Sequence, residues 1–276
     1  MWTLTGFADE ISPDLDEQLN MLTEESISYM EIRSVWNTNV LDLTDEELEK
    51  VASAATERGI GISSIGSPIG KVPVTDPLGP HLERFRRALR AADVMGSPYI
   101  RVFSFFIPEG HDPGDYREEV IERMGVLARE AQRAGVTLLH ENEKDIYGDV
   151  PSRCVDILAG VDSPALRAAW DAANFVQCGI RHPYTDGYES LRPYIEYVHV
   201  KDALSVSGKV VPAGEGEGQW PDTLSAFDAS GFDGFFSLEP HLASAGPDSG
   251  FSGPELFRQA AKSFQDLLRN QGIVWA

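Results

Sequence analysis

The stretch Leu138-Leu139-His140-Glu141-Asn142-Glu143 decides how the rest of the chain is interpreted. A short apolar run ends abruptly in a histidine and two acids, which is typical of a buried strand that emerges at a polar site. A strand that runs into an ordinary acidic surface loop has the same pattern. The first interpretation is favoured because three later predicted strands also end in a potential ligand.

Apolar strands alternate with amphipathic helices along the whole chain. Strands are predicted over residues 2–7, 27–32, 60–65, 99–103, 138–141, 166–171, 194–200 and 234–239. Such alternation is typical of a parallel sheet with both faces covered by helices. Eight units in 276 residues predict an α/β fold, a single-domain (β/α)8 TIM barrel over residues 1–276. A doubly wound sheet is the main alternative, but Gly6-Phe7-Ala8-Asp9 after the first strand does not resemble its glycine-rich fingerprint.

Capping signals mark the predicted helix ends. Ser12 is the expected N-cap of the first helix, with Pro13 at its first position. Thr44-Asp45-Glu46-Glu47 is a capping box, and Gly96 and Gly135 are expected to end two later helices. The loops at 104–114 and 203–219 are longer than a barrel needs, and loops at this face of a barrel carry substrate contacts.

Composition and charge narrow the class of protein. The formal net charge is −21 and the sequence pI is about 4.6, which argues against a nucleic acid or an anionic membrane as partner. The two cysteines have no metal-finger spacing, so a reducing environment is expected. Neither a signal peptide nor a membrane span is expected, and we predict a cytoplasmic location.

Each of the last four predicted strands ends in a potential metal ligand: Glu141, Asp171, His199 and Glu239. The intervals are 30, 28 and 40 residues, about one strand–helix unit each. Because consecutive barrel strands are neighbours, these side chains are expected to converge at one mouth. Three carboxylates and one imidazole suit Mn²⁺, Mg²⁺ or Co²⁺, and also Zn²⁺. Taken singly, Asp171 reads as a helix cap, His199 as a core histidine and Glu239 as a turn acid.

The strand ends resemble the sugar phosphate isomerase/epimerase family, whose members share the xylose isomerase-like TIM barrel. The motifs that carry the resemblance are His140-Glu141-Asn142-Glu143, Trp170-Asp171-Ala172-Ala173-Asn174, Val198-His199-Val200-Lys201-Asp202, Gly214-Glu215-Gly216-Glu217-Gly218 and Leu238-Glu239-Pro240-His241. The resemblance implies that Glu141, Asp171, His199 and Glu239 bind one divalent ion, with Mn²⁺ expected first. It also implies that the two glutamates are the acid/base pair.

Two positions depart from the ketose 3-epimerases within this family. Those enzymes have a histidine three residues after the metal-binding aspartate, where this chain has Asn174. They have an arginine about six residues after the metal-binding histidine, where this chain has Ser205. Both positions normally touch substrate, so the resemblance indicates the family better than the substrate.

Weaker candidates for substrate contacts are Asn174, Lys201, Arg101, Glu217 and His241. Lys201 either contacts substrate or pairs with Asp202, and Arg101 either contacts substrate or forms an ion pair inside the barrel. His241 and His182 lie near the predicted mouth, and solvated loop histidines are the alternative. Glu143 is an alternative ligand to Glu141, but it lies further into the loop.

The leading hypothesis is a divalent-metal-dependent isomerase or epimerase of a sugar, sugar phosphate or polyol derivative. Proton transfer by glutamate through a metal-stabilised enediolate is the expected chemistry. A metal-dependent, inosose-type dehydratase on the same scaffold is the first alternative. An endonuclease IV-like enzyme and a non-catalytic sugar-binding barrel are more distant ones. By analogy with other barrels of this kind, a homodimer is expected.

Overall fold

The computed structural model describes residues 1–245 and 250–276, and these form a parallel eight-stranded barrel surrounded by helices. The barrel strands are β1 (Thr3–Gly6), β2 (Tyr29–Ile32), β3 (Gly61–Ile65), β4 (Tyr99–Val102), β5 (Thr137–Glu141), β6 (Leu166–Asp171), β7 (Ile195–Val200) and β8 (Phe235–Leu238). Each pairs with its sequence neighbour from β2 to β8, and β8 pairs with β1. A parallel bridge between Phe7 and Glu31 closes the ring between β1 and β2. The predicted TIM barrel is confirmed, with every strand end within two residues of its predicted place.

The main helices follow the strands in order. They are α1 (Leu15–Glu24), α2 (Asp45–Glu57), α3 (Leu78–Met95), α4 (Arg117–Ala134), α5 (Pro151–Val161), α6 (Ala172–Gln177), α7 (Trp220–Ser230) and α8 (Pro254–Asn270). Short helical turns at Tyr184–Tyr188, Glu189–Leu191 and Arg192–Tyr194 link α6 to β7. Among the described residues, no helix combines the length and the apolarity needed to cross a bilayer.

The helix ends follow the predicted signals with one exception. Thr44 and Glu47 form the capping box of α2, and Gly96 and Gly135 adopt φ of +66° and +72° at the ends of α3 and α4. The predicted N-cap of α1 is wrong: Asp14, not Ser12, caps the helix by accepting a hydrogen bond from the Glu17 amide at 3.0 Å. The Ser12 hydroxyl instead accepts a hydrogen bond from the Asp14 amide, two residues too early to cap α1.

The barrel interior is filled directly below the predicted ligands. Side chains alternate along a strand, so residues two positions before Glu141, Asp171 and His199 lie on the same face as these three. These residues are Leu139, Ala169 and Tyr197, which form a buried cluster separate from the core between the sheet and the helices. The cluster forms a floor, so the polar strand ends open only toward the loops at the carboxyl end.

The long loop after β7 is folded around one carboxylate. Asp202 accepts hydrogen bonds from the amides of Ala203, Gly214, Gly216 and Gly218 at 2.8–3.0 Å. A Cβ at position 216 would lie 2.3 Å from Asp202 Oδ1, so this position requires glycine. The glycine-rich motif is therefore a clamp on Asp202.

Replacing Asp202 with alanine is expected to loosen this loop. Four amides would lose a charged acceptor, and we expect a loss of roughly 3 kcal/mol in the free energy of unfolding. Denaturant unfolding measures the loss, and hydrogen exchange at Gly214, Gly216 and Gly218 locates it. Glu217→Gln is the control, because that side chain bonds only at the edge of the loop. Unchanged exchange at the three glycines would contradict the clamp.

Candidate active site

Four side chains from four successive strands meet at the carboxyl end of the barrel. Glu141 ends β5, Asp171 ends β6, His199 is the penultimate residue of β7 and Glu239 directly follows β8. One potential ligand atom from each lies within 4.8 Å of those of the other three. All four are buried, with at most 2% of the residue surface exposed. The structure thus brings together the four residues that the sequence singled out.

The donor set fits a divalent cation. His199 Nδ1 lies 3.1 Å from Glu141 Oε1 and 3.6 Å from Glu239 Oε2, so the imidazole faces the carboxylates. Within residues 1–245 and 250–276, no contact of either ring nitrogen of His199 has hydrogen-bond geometry, and Nε2 lies 3.4 Å from Glu31 Oε2 on the other side of the ring. Three carboxylates and an imidazole are ligands that Mn²⁺, Mg²⁺ and Zn²⁺ accept. The buried cluster can therefore hold a metal ion.

Two cationic side chains are interleaved with the carboxylates. Lys201 Nζ lies 2.9 Å from Asp171 Oδ2 and 3.0 Å from Glu239 Oε2. Arg101 Nη1 lies 3.2 Å from Glu141 Oε2 and 3.5 Å from Glu239 Oε1. The alternative that paired Lys201 with Asp202 is wrong, because successive residues of an extended chain point to opposite sides. The interior ion pair that was one alternative for Arg101 is present.

The three carboxyl groups differ in how readily they carry charge. Burial raises the pKa of Asp171 to about 7, although Lys201 opposes the shift. Burial also acts against ionisation of Glu141, but the His199 imidazole and Arg101 outweigh it and lower the pKa to about 2. For Glu239, Lys201 and His241 overcome burial and hold the pKa well below its usual range. Titratable groups with opposed shifts in one cleft are typical of functional sites.

Two asparagines hold the ligand strands in register. Asn142 Nδ2 donates to the Asp171 carbonyl at 2.8 Å, and Asn142 Oδ1 accepts from the Asp171 amide at 3.1 Å. The Asn174 side chain donates through Nδ2 to Glu141 Oε1 at 3.1 Å, while the Asn174 backbone amide donates to Asp171 Oδ1 at 2.8 Å. Asp171 is thus the N-cap of α6 as well as part of the cluster. Asn174 was predicted to touch substrate, and here it orients Glu141.

Arg33 and Glu10 lie around Glu239, and neither was among the predicted substrate contacts. Arg33 Nη1 lies 3.3 Å from Glu239 Oε1, and Arg33 Nε donates to Asp9 at 2.8 Å. His241 Nε2 lies 3.0 Å from Glu10 Oε1 and 3.4 Å from Glu239 Oε1. Burial raises the pKa of Glu10 to about 8, although Arg33 opposes the shift. The solvated alternative for His241 is wrong, since only 11% of its side chain is exposed, whereas His182 is exposed.

A family comparison agrees with this geometry. The model of the xylose isomerase-like TIM barrel family matches residues 24–267. The chain belongs to this family. The resemblance inferred from the strand-end motifs is therefore confirmed at the level of the superfamily.

Solved structures share the family fold at low sequence identity. A D-tagatose 3-epimerase-like protein superposes with a TM-score of 0.79 at 15% identity, covering 99% of this chain and 100% of that chain. The IOLI protein, solved with a zinc atom, gives 0.76 at 17% identity, covering 97% and 98%. The probable 3-DHS dehydratase AsbF from Bacillus anthracis gives 0.74 at 17% identity, covering 96% and 98%. No curated protein sequence matches the chain. These structural similarities extend over nearly the whole barrel, and at such low sequence identity they show a shared fold only.

The mouth of this family barrel is narrow. A cavity of about 50 Å³ beside the cluster is lined by Glu143, Lys144, Asn174, Gln177, Lys201, Val210 and His241. Three predicted substrate contacts, Asn174, Lys201 and His241, therefore face the opening. Glu217 does not line it, and its carboxylate accepts a hydrogen bond from the Ser205 amide at 3.0 Å. Glu143 lies at the rim, 3.5 Å from Lys71 Nζ, and is not among the four clustered residues.

Proposed function

We propose that this chain is a divalent-metal-dependent isomerase or epimerase of a sugar, sugar phosphate or polyol derivative. The observation that carries the proposal is the convergence of two glutamates, an aspartate and a histidine from four neighbouring strands at one buried point. Membership of the xylose isomerase-like family supports it, as do solved structures of the same fold, among them a D-tagatose 3-epimerase-like protein and a 3-keto-D-glucoside 4-epimerase. Mn²⁺ is the ion we expect, and Mg²⁺, Co²⁺ and Zn²⁺ fit the same donors.

The proposed chemistry is a proton transfer next to a carbonyl. A divalent ion held by Glu141, Asp171, His199 and Glu239 would act as a Lewis acid toward the carbonyl and its neighbouring hydroxyl. One of the two glutamates takes the proton from the carbon, and the electron pair moves toward the carbonyl oxygen. In an epimerisation the other glutamate, which starts protonated, delivers its proton to the same carbon from the opposite side, whereas in an isomerisation the first glutamate returns the proton to the adjacent carbon. Glu141 and Glu239 come from strands three places apart, so they approach a substrate from different sides.

The surrounding donors set the position of the two glutamates. Asn174 and Arg101 hold opposite oxygens of Glu141, at 3.1 and 3.2 Å. Arg33 and Lys201 hold opposite oxygens of Glu239, at 3.3 and 3.0 Å. Both oxygens of each carboxylate are thus held by hydrogen bonds, which keeps the group directed at one carbon, as a general base requires. Lys201 and His241 also face the opening, where we assign them to substrate binding.

A metal-dependent dehydratase of the inosose type is the alternative. It begins with the same proton abstraction, but a β-hydroxyl then leaves with its electron pair and the second glutamate protonates it. The solved structure of a probable dehydratase with this fold is compatible with such chemistry on this scaffold. The two reactions differ in product, since only dehydration forms a conjugated enone.

The direct test is isotope exchange from solvent. Protein supplied with Mn²⁺ is incubated in tritiated water with a panel of ketoses, ketose phosphates, sugar acids and inososes. We expect exchange at the carbon next to the carbonyl for at least one compound, and loss of exchange after chelation. A new enone absorbance would select the dehydratase instead. Absence of both signals across the whole panel would contradict the enzyme assignment.

A further inference from the structure

A third glutamate lies behind His199, on the side away from the clustered carboxylates. Glu31 is in the middle of β2 and is fully buried. Its Oε2 lies 3.4 Å from His199 Nε2. Among the described residues, His199 is the only histidine, lysine or arginine within ion-pairing distance of the Glu31 carboxylate. Burying a carboxylate is costly unless a partner compensates, so Glu31 needs this neighbour.

The two nitrogens of His199 therefore face different carboxylates. Nδ1 faces Glu141 and Glu239 in the cluster, at 3.1 and 3.6 Å, while Nε2 faces Glu31. The ring is also packed edge-on against Phe7 and Tyr197, with centroids 5.3 and 5.7 Å away. The ring is thus confined, with one nitrogen directed toward the cluster and the other toward Glu31.

Glu31 is itself held by a chain of hydroxyl groups inside the barrel. The Tyr197 hydroxyl donates to Glu31 Oε2 at 2.9 Å, Ser63 Oγ lies 2.9 Å from the Tyr197 hydroxyl, and Thr5 Oγ1 lies 2.7 Å from Ser63 Oγ. The second oxygen of Glu31, Oε1, has no hydrogen-bond partner within the described residues. Both contacts of the carboxylate thus fall on the one oxygen that faces His199.

The backbone is irregular at the same place. Along the β2–β3 ladder, Met30 is opposite Ile62 but Glu31 is opposite Ser64, so Ser63 is an extra residue in β3. Bulges of this kind redirect side chains at barrel rims next to active sites. Here the extra residue supplies the hydroxyl that contacts Tyr197. The bulge and the hydrogen-bonded hydroxyl groups therefore both help to fix the position of the Glu31 side chain.

We propose that Glu31 is a positioning residue that holds His199 with Nε2 protonated and Nδ1 directed at a divalent cation. The inference rests on the proposed function, because it assumes that His199 is a metal ligand. A carboxylate on the second nitrogen of a metal-binding histidine fixes the tautomer and raises the basicity of the ligand nitrogen. Glu31 acts through His199 and does not reach the substrate.

The matched variants separate this role from a general effect on folding. Glu31→Leu removes the acceptor, and we expect the affinity for Mn²⁺ to fall about 10–100-fold. Glu31→Gln keeps an oxygen at the Oε2 position, so we expect most of the affinity to return. Ser97→Ala removes a buried hydroxyl that lies before β4 and donates to the Tyr99 carbonyl, away from the chain that holds Glu31, and is the control, with wild-type affinity for Mn²⁺ whatever its stability. Affinity is measured by calorimetry and by competition with a chelator.

A second readout does not depend on activity or on the leucine variant folding. Nitrogen-15 NMR of the His199 imidazole, without metal and with Zn²⁺, reports which ring nitrogen is protonated. With Zn²⁺ bound, we expect protonated Nε2 and deprotonated Nδ1 in the wild-type and Glu31→Gln proteins. A proton on Nδ1 in the Zn²⁺-loaded protein, or a folded Glu31→Leu protein with wild-type Mn²⁺ affinity, would overturn the inference while leaving the metal site in place. Wild-type protein that binds no Mn²⁺ would overturn the proposed function and this inference together.

Discussion

Replacing either Glu141 or Glu239 with glutamine is expected to lower the rate of proton exchange by about 10³-fold, within the range that general acid–base groups contribute. Glutamine keeps the shape of the side chain and one oxygen for a metal ion, but it does not accept a proton from carbon. The measurement is the initial rate of solvent tritium exchange on whichever substrate the panel identifies. Mn²⁺ affinity measured in parallel separates lost proton transfer from lost metal binding.

Glu143→Gln is the matched control for this experiment. Glu143 lies two residues beyond Glu141 on the same chain segment, and its carboxylate faces Lys71 at 3.5 Å. We expect this variant to retain most of the exchange activity. A loss equal to that of Glu141→Gln would shift the assignment toward Glu143, which the sequence left as an alternative ligand.

Addition of Mn²⁺ is expected to raise the melting temperature, and Asp171→Asn is expected to abolish that rise. An ion at one hundred times its dissociation constant stabilises the folded state by about 2.7 kcal/mol. For a chain of this size that corresponds to a rise of roughly 5–10 °C. Asparagine is as good an N-cap as aspartate, so the variant should keep the bond to the Asn174 amide that begins α6. Differential scanning calorimetry measures both effects.

Asp202→Asn is the control for the loss of a buried carboxylate near the same mouth. Asp202 binds the glycine-rich loop and is not one of the four clustered residues. We expect this variant to melt lower without metal but to keep the full Mn²⁺-induced rise. An Asp171→Asn protein that still gains stability from Mn²⁺ would contradict the assignment of Asp171 as a ligand.

The sequence predicted the parts of the site that recur with the strand–helix unit. Glu141, Asp171, His199 and Glu239 each follow an apolar strand, so their convergence required only that eight units close into a barrel. The side chain of Lys201 was also predictable in principle. It lies two residues after His199 and so shares its face, whereas Asp202 points the other way toward the loop.

The remaining contacts depend on how distant segments meet. Glu10, Glu31 and Arg33 belong to the first two units, and they reach His199, Glu239 and His241 only because β8 pairs with β1 and the ring then closes between β1 and β2. Nothing in the local pattern Tyr29-Met30-Glu31-Ile32 indicates whether the acid faces the interior. The bulge at Ser63 depends on the pairing of two strands, which periodicity within one strand does not reveal.

The most direct test is a crystal structure of the protein grown with Mn²⁺, with the ion located by its anomalous scattering. We predict one ion bound by oxygen atoms of Glu141, Asp171 and Glu239 and by His199 Nδ1, each at roughly 2.0–2.6 Å. An ion bound elsewhere, or a cluster that stays closed around Lys201 with no ion at saturating Mn²⁺, would contradict the account.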